Sequence, residues 1–141
     1  MAMQKIQPLG KYPSFCRAGD FIFVSGMSAR QADGAIAGVT QLEDGSVVCD
    51  IQIQTRVVIQ KIQAALQEAG AGLSDCVAIT SYLTDMGQFD GYNKIYAEFF
   101  DGRATRTTVG VQQLPHAHMV VELTATAYKP VGASFGRDKN A

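Results

Sequence analysis

The strongest constraint on the fold of this chain is that several of its predicted strands are apolar on both faces. The segments FIFV, at residues 21–24, and MVVEL, at residues 119–123, are the clearest cases. A sheet built from such strands needs a covering layer on each side. Two segments of the chain have helical spacing, and two helices cover one face of a sheet. The second face therefore needs a partner, and another copy of the same chain is the simplest one.

The two predicted helices have recognisable start and stop signals. Apolar residues recur at helical spacing through residues 50–69, where Asp50 is suited to the N-cap and Gly70 to the stop. The second helix is predicted to start at Asp85, because Gln88 follows three residues later as in a capping box.

The strongest strand patterns lie at residues 21–26, 77–83, 107–111 and 119–128, with weaker ones near Val39 and Val47. The predicted order is β-β-α-β-α-β-β, with room for one further strand before the first helix. We therefore expect an α+β fold in a single domain over residues 1–141. Its core covers about residues 10–130, and the small, polar residues 131–141 form a flexible tail.

Composition excludes several classes of protein. The net charge is −1 and the basic residues are scattered, so the chain lacks the cationic patch that nucleic acid requires. No apolar run approaches the roughly 20 residues that span a bilayer, and the first residues lack a secretion signal. The cysteines are three and widely spaced, which argues against a disulfide framework. These features predict a cytoplasmic protein without a nucleic-acid or membrane partner.

Glu122 is the most informative single residue, because it lies inside an apolar strand. Alternation places it on one face with Val120 and Thr124, and its neighbours Val121 and Leu123 on the other. A carboxylate in such surroundings is costly unless it is paired or hydrogen-bonded. Two interpretations remain open, which are a structural ion pair on an exposed face and a general acid/base tuned by partial burial.

Arg106 begins the strand pattern that precedes Glu122 along the chain. An arginine there is suited to bidentate binding of a carboxylate, which lysine serves less well. The alternative is a surface or interface arginine. Ser25, at the end of the FIFVSG strand, lacks a nucleophile context and is expected to line a pocket.

The geometry of a continuous strand argues against a metal site made by His116, His118 and Glu122. On a continuous strand, Glu122 would lie roughly 13 Å from His118 and roughly 20 Å from His116. Zinc holds its ligands at about 2 Å. The pair Gly70 and Gly72 follows a helix, so it is a turn and not a dinucleotide-binding loop. We expect no metal and no organic cofactor.

Ordered motifs along most of the chain resemble the Rid family of reactive-intermediate deaminases. They are GKYP, FIFVSG, IQTRVVIQKIQAAL, SYLTDMGQFDGYNKIYAEFF, TRTTV, QLP and VELTATAY, which together cover about residues 10–130. Each motif is weak alone, but the ordered set is specific. The resemblance implies a chorismate-mutase-like fold, with one sheet backed by two helices on one face, and a homotrimer with active sites between subunits.

The resemblance also implies roles for five residues. Arg106 corresponds to the arginine that binds the substrate carboxylate, and Glu122 to the catalytic glutamate. Tyr12, Ser25 and Asn93 correspond to residues that line the substrate pocket.

The sequence is similar in particular to the branch of this family that deaminates 2-aminomuconate in bacterial breakdown of aromatic compounds. Shared features include SGMSAR, TRTTVGVQQLPHAH and AYKP. Two departures from archetypal members favour a specialised branch. Thr108 occupies the place of a cysteine, and the segment between Pro115 and Glu122 is one residue longer.

The implied reaction is hydrolysis of a dicarboxylate enamine to a 2-oxo-hexenedioate and ammonia. Its second carboxylate needs a partner, for which Arg30 and His118 are the candidates because they flank the pocket strands. Two alternatives remain. One is a general deaminase of 2-iminoacids, and the other is a non-catalytic protein that binds small ligands.

Overall fold

The computed structural model describes residues 5–132, which form seven strands and two α-helices. The elements are β1 Phe15–Ala18, β2 Phe21–Met27, β3 Val39–Gln41, β4 Val47–Cys49, α1 Ile51–Glu68, β5 Cys76–Leu83, α2 Phe89–Phe99, β6 Thr105–Gly110 and β7 Val121–Tyr128. No helix among these residues is long and apolar enough to cross a membrane. The predicted flexible tail falls mostly on residues 133–141, which lie outside the described part of the chain.

Five strands form the main sheet in the order β1-β2-β7-β5-β6, and β3 pairs with β4 in a separate hairpin. Within the main sheet, β5 and β6 are parallel and the other neighbours are antiparallel. The helices lie on one face of this sheet, where α1 packs against β2 and β7, and α2 packs beside α1. The predicted α+β architecture of one main sheet and two helices is therefore confirmed.

Helix α1 follows its sequence signals. The Asp50 carboxylate accepts hydrogen bonds from the backbone N–H groups of Gln52 and Ile53, and so caps the first turn. Gly70 has a φ of 85°, a left-handed conformation that suits glycine and ends the helix. The fully buried side chains along its inner stripe are Gln54, Thr55, Val58, Ile59, Ile62 and Leu66. Their burial against the sheet forms the centre of the core.

The predicted start of the second helix was wrong. The Asp85 carboxylate accepts a hydrogen bond from the Gly87 N–H, but it caps a single 3₁₀ turn at Met86–Gln88. Helix α2 then begins at Phe89, and Gln88 makes no side-chain capping bond. Strand β1 was not predicted, because its four residues, FCRA, lack alternation and lie at the edge of the sheet.

The face of the sheet away from the helices is rich in exposed apolar side chains. Cross-strand register places Phe21 beside Tyr128, with their rings 5.2 Å apart, and Phe23 one repeat further along β2. Phe21 is 43% exposed, Phe23 47% and Tyr128 44%. The prediction that β2 is apolar on both faces is therefore confirmed. We call this surface, defined by Phe21, Phe23, Val109 and Tyr128, the open face.

Gln54 holds the chain that leads into β7. Its side-chain Nε2 donates to the His118 carbonyl at 2.7 Å, and its Oε1 accepts from the Val120 N–H at 3.0 Å. The amide thus stands in for a neighbouring strand, and it is fully buried in α1. β7 pairs regularly only from Val121 onward, two residues later than predicted. Gln54 therefore fixes the chain two residues before Glu122.

We expect Gln54→Leu to destabilise the protein by about 1–3 kcal/mol for each backbone group that it leaves buried and unpaired. Urea unfolding at fixed protein concentration measures this change. Gln60→Leu is the matched control, because Gln60 is exposed on the same helix. Surface changes usually stay within about 0.5 kcal/mol. Equal unfolding free energies for the two variants would show that the amide does not hold this segment.

Candidate active site

Arg106 lies on the helix side of edge strand β6. It is in register with Ile79 of β5, whose side chain is buried under the helices. Its Nη1 donates to the Asn93 Oδ1 of α2 at 2.7 Å. The guanidinium carbon lies 4.6 Å from the centre of the Tyr96 ring and 5.3 Å from that of Tyr92. The structure therefore brings Arg106 and Asn93 together, on an aromatic surface that favours a cation.

The charge of Arg106 is not neutralised by an acidic side chain in the part of the chain that the structure describes. Its one side-chain hydrogen bond among the described residues goes to an amide, and none of the ion pairs there includes it. A planar guanidinium with free N–H groups is a suitable donor for a carboxylate. Burial raises the pKa of the adjacent Tyr96 to about 12, so this phenol stays neutral beside the arginine.

Glu122 lies on the opposite face of the sheet. It pairs in register with Tyr82 of β5, and alternation along β7 directs it away from the buried residues Val121 and Leu123. The side chain is half-buried, and burial raises the pKa of its carboxyl group, while the positive charge of Lys61 acts in the opposite direction. A carboxyl group of this kind exchanges protons closer to neutral pH than an exposed glutamate does.

Gly26 makes room for the Glu122 carboxylate. A Cβ atom at this position would overlap the Glu122 Oε2 atom. Gly26 also lies in the irregular part of β2, where its pairing with β7 shifts between Val24 and Met27. The missing side chain and the irregular pairing together let the carboxylate lie against the backbone of β2.

A cavity of about 1030 Å³ opens beside Glu122. Its walls are the end of β2, the residues around the start of β7, one side of α1 and the N-terminal residues 5–15. Tyr12, Ser25 and Arg30 also line it. The Ser25 hydroxyl donates to the Pro13 carbonyl at 2.7 Å, and the Arg30 guanidinium donates to a backbone carbonyl of the N-terminal segment. The structure thus brings four of the predicted site residues to one cavity.

His118 does not line this cavity. Its backbone N–H donates to the His116 Nδ1 at 3.0 Å, and the two imidazole rings lie 5.1 Å apart. The two histidines form a local turn after Pro115. Among the described residues, no group of three or more histidine, cysteine, aspartate or glutamate side chains is placed to hold a metal ion.

The predicted residues therefore form two groups in one chain. Arg106 and Asn93 lie on the helix side of the sheet, and Glu122, Tyr12 and Ser25 lie around the cavity. Strand β5 separates β6 from β7, so the strands that carry Arg106 and Glu122 are about 10 Å apart, with these two side chains directed to opposite faces. A small ligand held by Arg106 does not reach Glu122 of the same chain along this path.

The sequence interpretation missed Lys61, which also lines the cavity. This residue of α1 is 8% exposed, and its Nζ donates to the carbonyl oxygens of Ser28 and Arg30, both at 2.8 Å. Burial, together with the nearby Arg30 charge, lowers the pKa of Lys61 to about 8. The signal was present, because Lys61 lies three residues after Val58 and four before Ala65, within the apolar stripe.

Comparisons with known proteins agree with this architecture. The sequence profile of the family described as Endoribonuclease L-PSP matches residues 2–129. A RutC family protein of Pyrococcus abyssi is 38% identical over 125 residues, which are 87% of this chain and 90% of that protein. TdcF of Escherichia coli, provisionally described as a reactive intermediate deaminase, is 31% identical over 77 residues, which are 52% of this chain and 60% of TdcF. The crystal structure of yeast YEO7 has a TM-score of 0.74 and 26% identity, over 88% of this chain and 91% of YEO7.

We expect Gly26→Ala to displace the Glu122 carboxylate while the fold persists, because the overlapping atom is the mobile end of a side chain. The unfolding free energy should change by about 1 kcal/mol or less. A carbon-13 NMR titration should place the Glu122 pKa nearer the value of an exposed glutamate.

Gly72→Ala is the control for this experiment, since its added methyl group meets no atom within 4 Å. An unchanged Glu122 titration in Gly26→Ala would show that the close approach to Gly26 does not set the environment of this carboxylate.

Proposed function

The chain belongs to the endoribonuclease L-PSP family, and on this premise we propose that it is a hydrolytic deaminase of enamines and imines. The observation that carries this proposal is the position of Glu122, which is half-buried on the wall of a cavity large enough for a small substrate. Its burial raises the pKa of the carboxyl group, as in many acid/base catalysts. The provisional description of TdcF as a reactive intermediate deaminase supports the same chemistry.

The proposed reaction needs one proton-transfer group and water. An enamine first tautomerises to its imine, as a proton moves from nitrogen to carbon. Water then adds to the imine carbon, and the carbon–nitrogen bond breaks to release ammonia and leave a ketone. Glu122 takes one proton from the attacking water and passes it to the nitrogen. It then carries the proton of the resulting hydroxyl group to the same nitrogen, so that ammonia leaves and the carboxylate is regenerated.

Arg106 is proposed to bind the carboxylate next to the imine carbon. Its guanidinium forms no ion pair with a described residue, and its shape matches the two oxygens of a carboxylate. Its hydrogen bond to Asn93 fixes the orientation of the fork. Holding the substrate in one orientation contributes to the rate, since it brings the imine carbon to the water that Glu122 activates.

We propose further that the active protein is a homotrimer, with each site shared between two subunits. In one chain, Arg106 and Glu122 lie on opposite faces of the sheet. A complete site therefore takes Arg106 from one subunit and Glu122 from another. The open face supports this assembly, because Phe21, Phe23 and Tyr128 remain exposed in the single chain.

The narrower proposal is that the substrate is 2-aminomuconate, which becomes 2-oxo-hexenedioate in the cytoplasm. The position of Arg30 on the cavity wall supports it, because this cation lies where a second carboxylate can extend past Glu122. His118 is the less favoured partner, since it lies outside the cavity lining in one chain. The family description also names a ribonuclease activity, which the net charge of −1 disfavours.

Ammonia release from freshly prepared 2-aminomuconate and from short 2-iminoacids tests the proposed activity. We expect both to be hydrolysed, with a higher kcat/KM for 2-aminomuconate. A higher kcat/KM for the iminoacids would favour a general deaminase. Release no faster than in buffer would favour a non-catalytic binding protein.

Arg106→Lys keeps the charge but loses the planar fork, so we expect KM to rise about tenfold or more. Glu122→Gln should mainly lower kcat, by roughly 10²–10⁴. Arg103→Lys and Glu98→Gln are the controls, because both residues lie in exposed ion pairs. Circular dichroism should show that all four variants are folded. Kinetics near those of the wild type in Arg106→Lys or Glu122→Gln would remove that residue from its role.

Mixed oligomers test whether the site is shared between chains. Arg106→Ala and Glu122→Gln should each be nearly inactive alone. Co-refolding equal amounts should restore about a quarter of the wild-type activity, because random assembly pairs an intact Arg106 with an intact Glu122 at one site in four. No recovery in oligomers shown by mass spectrometry to be mixed would place both residues of one site in one chain.

A further inference from the structure

Lys61 is a buried cation that the proposed reaction does not use. Its side chain is 8% exposed, and the two hydrogen bonds of its Nζ go to neutral backbone carbonyls. An ammonium group has three N–H donors, so one remains without a partner among the described residues. None of the ion pairs between described residues includes Lys61. Burial of a charge that makes no ion pair is costly. Burial and the Arg30 charge lower the pKa of Lys61, and the Glu122 carboxylate offsets only part of this shift.

The surroundings of Lys61 are cationic and open to a ligand. Arg30 and Lys5 line the same cavity and carry the same charge as Lys61, whereas its acidic wall residues are Glu68 and Glu122. If Glu122 serves the reaction, Glu68 is the remaining acidic group, against three cations. A ligand with an anionic end therefore gains from entering the cavity, and the gain is largest beside the buried charge.

Backbone carbonyl groups just after the end of β2 hold Lys61 in a defined place. Ser28 and Arg30 lie just after β2, and their carbonyl oxygens both accept hydrogen bonds from Nζ. This arrangement fixes the ammonium group near the end of the strand that carries Gly26, against which the Glu122 carboxylate lies. Lys61 and Glu122 line the same cavity, so a substrate whose imine carbon is at Glu122 meets a fixed cation on another part of the cavity wall.

We propose that Lys61 is the cation of a second carboxylate-binding subsite, which makes the cavity selective for dicarboxylates over monocarboxylates. This inference rests on the proposed function for the placement of the imine carbon at Glu122. It differs from the sequence expectation, which assigned the second carboxylate to Arg30 or His118. The third N–H of Lys61 binds the ligand carboxylate, and Arg30 adds its charge from the cavity wall.

Two six-carbon dienes test the subsite without any catalysis. Muconate and sorbate have the same diene chain, but muconate has two carboxylates and sorbate has one. Isothermal titration calorimetry on the full-length protein should give a Kd for muconate about tenfold lower than that for sorbate. In Lys61→Gln, which keeps N–H donors for the two carbonyls, this preference should vanish while the Kd for sorbate stays within about twofold.

The controls are Lys94→Gln and Arg30→Gln. Lys94 is exposed on α2, away from the cavity lining, so its variant should keep the full preference for muconate. Arg30→Gln should reduce the preference only in part. Complete loss of the preference in Arg30→Gln, together with its retention in Lys61→Gln, would assign the subsite to Arg30 and overturn the proposal.

Proton linkage gives a second measurement that needs no Lys61 variant. Lys61 has a pKa of about 8, so it is partly neutral at pH 8. An anion bound to the ammonium group favours its protonated form. Binding of muconate at pH 8 should therefore be accompanied by uptake of a fraction of a proton by the protein, and binding of sorbate by less. Titrations in buffers of different ionisation enthalpy measure this uptake. Its persistence in Glu122→Gln would exclude Glu122 as the group that is protonated.

Three further results would overturn the subsite. They are equal affinity of the wild type for the two dienes, equal loss of both affinities in a folded Lys61→Gln, and equal proton uptake with both ligands. Different results would reject the proposed function. Absence of ammonia release, with a muconate preference that depends on Lys61, would reject the deaminase and keep the subsite. Ammonia release without that preference would reject the subsite alone.

Discussion

Alternation along β7 is the constraint on which the rest of this structure depends. Val121, Leu123, Ala125 and Ala127 are buried under the helices, so the residues between them are necessarily directed to the open face. A shift of the strand by one residue would bury Glu122 in the core and expose the valine and leucine. The Gln54 amide, which holds the backbone just before β7, therefore contributes to the position of the carboxylate as well as to the fold.

The environment of Glu122 results from opposing electrostatic effects. Partial burial disfavours its charged form, and the cation of Lys61 favours it. Burial and the Arg30 charge disfavour the charged form of Lys61, and the Glu122 carboxylate favours it. The protonation states of Glu122 and Lys61 are therefore linked, because the charge of each group favours the charged form of the other. Gly26 provides the space for the Glu122 carboxylate, because any larger side chain at this position would displace that carboxylate.

Arg106 has a different environment on the other side of the sheet. Aromatic rings of α2 and one amide surround its guanidinium, and the charge remains available. The aromatic surface orients the cation without neutralising it, since a ring face attracts a cation through its quadrupole. An acidic neighbour in the place of Asn93 would compete with a ligand carboxylate. The two sides of the sheet thus carry complementary parts of one proposed site, which is why assembly is central to the proposed function.

The sequence alone determined the architecture and most of the candidate residues. The helical spacing of α1, its Asp50 cap and the two-faced apolar strands were sufficient to predict one sheet with two helices on one side. These features are local, because each depends on the spacing of side chains along a continuous segment. Ordered motifs then indicated the family, and with it Arg106, Glu122, Tyr12, Ser25 and Asn93. The start of α2 was misplaced because an aspartate followed by a glutamine fits a 3₁₀ turn as well as a capping box.

Only the tertiary structure decided which of these residues meet. Strand order is set by non-local pairing, and the insertion of β5 between β6 and β7 separates Arg106 from Glu122. The burial of Lys61 and the close approach of Gly26 to Glu122 also depend on contacts between distant segments, as does the position of Arg30 on the cavity wall. Spacing along a chain specifies the face on which a side chain lies, but the neighbours across a sheet or a cavity are chosen by packing.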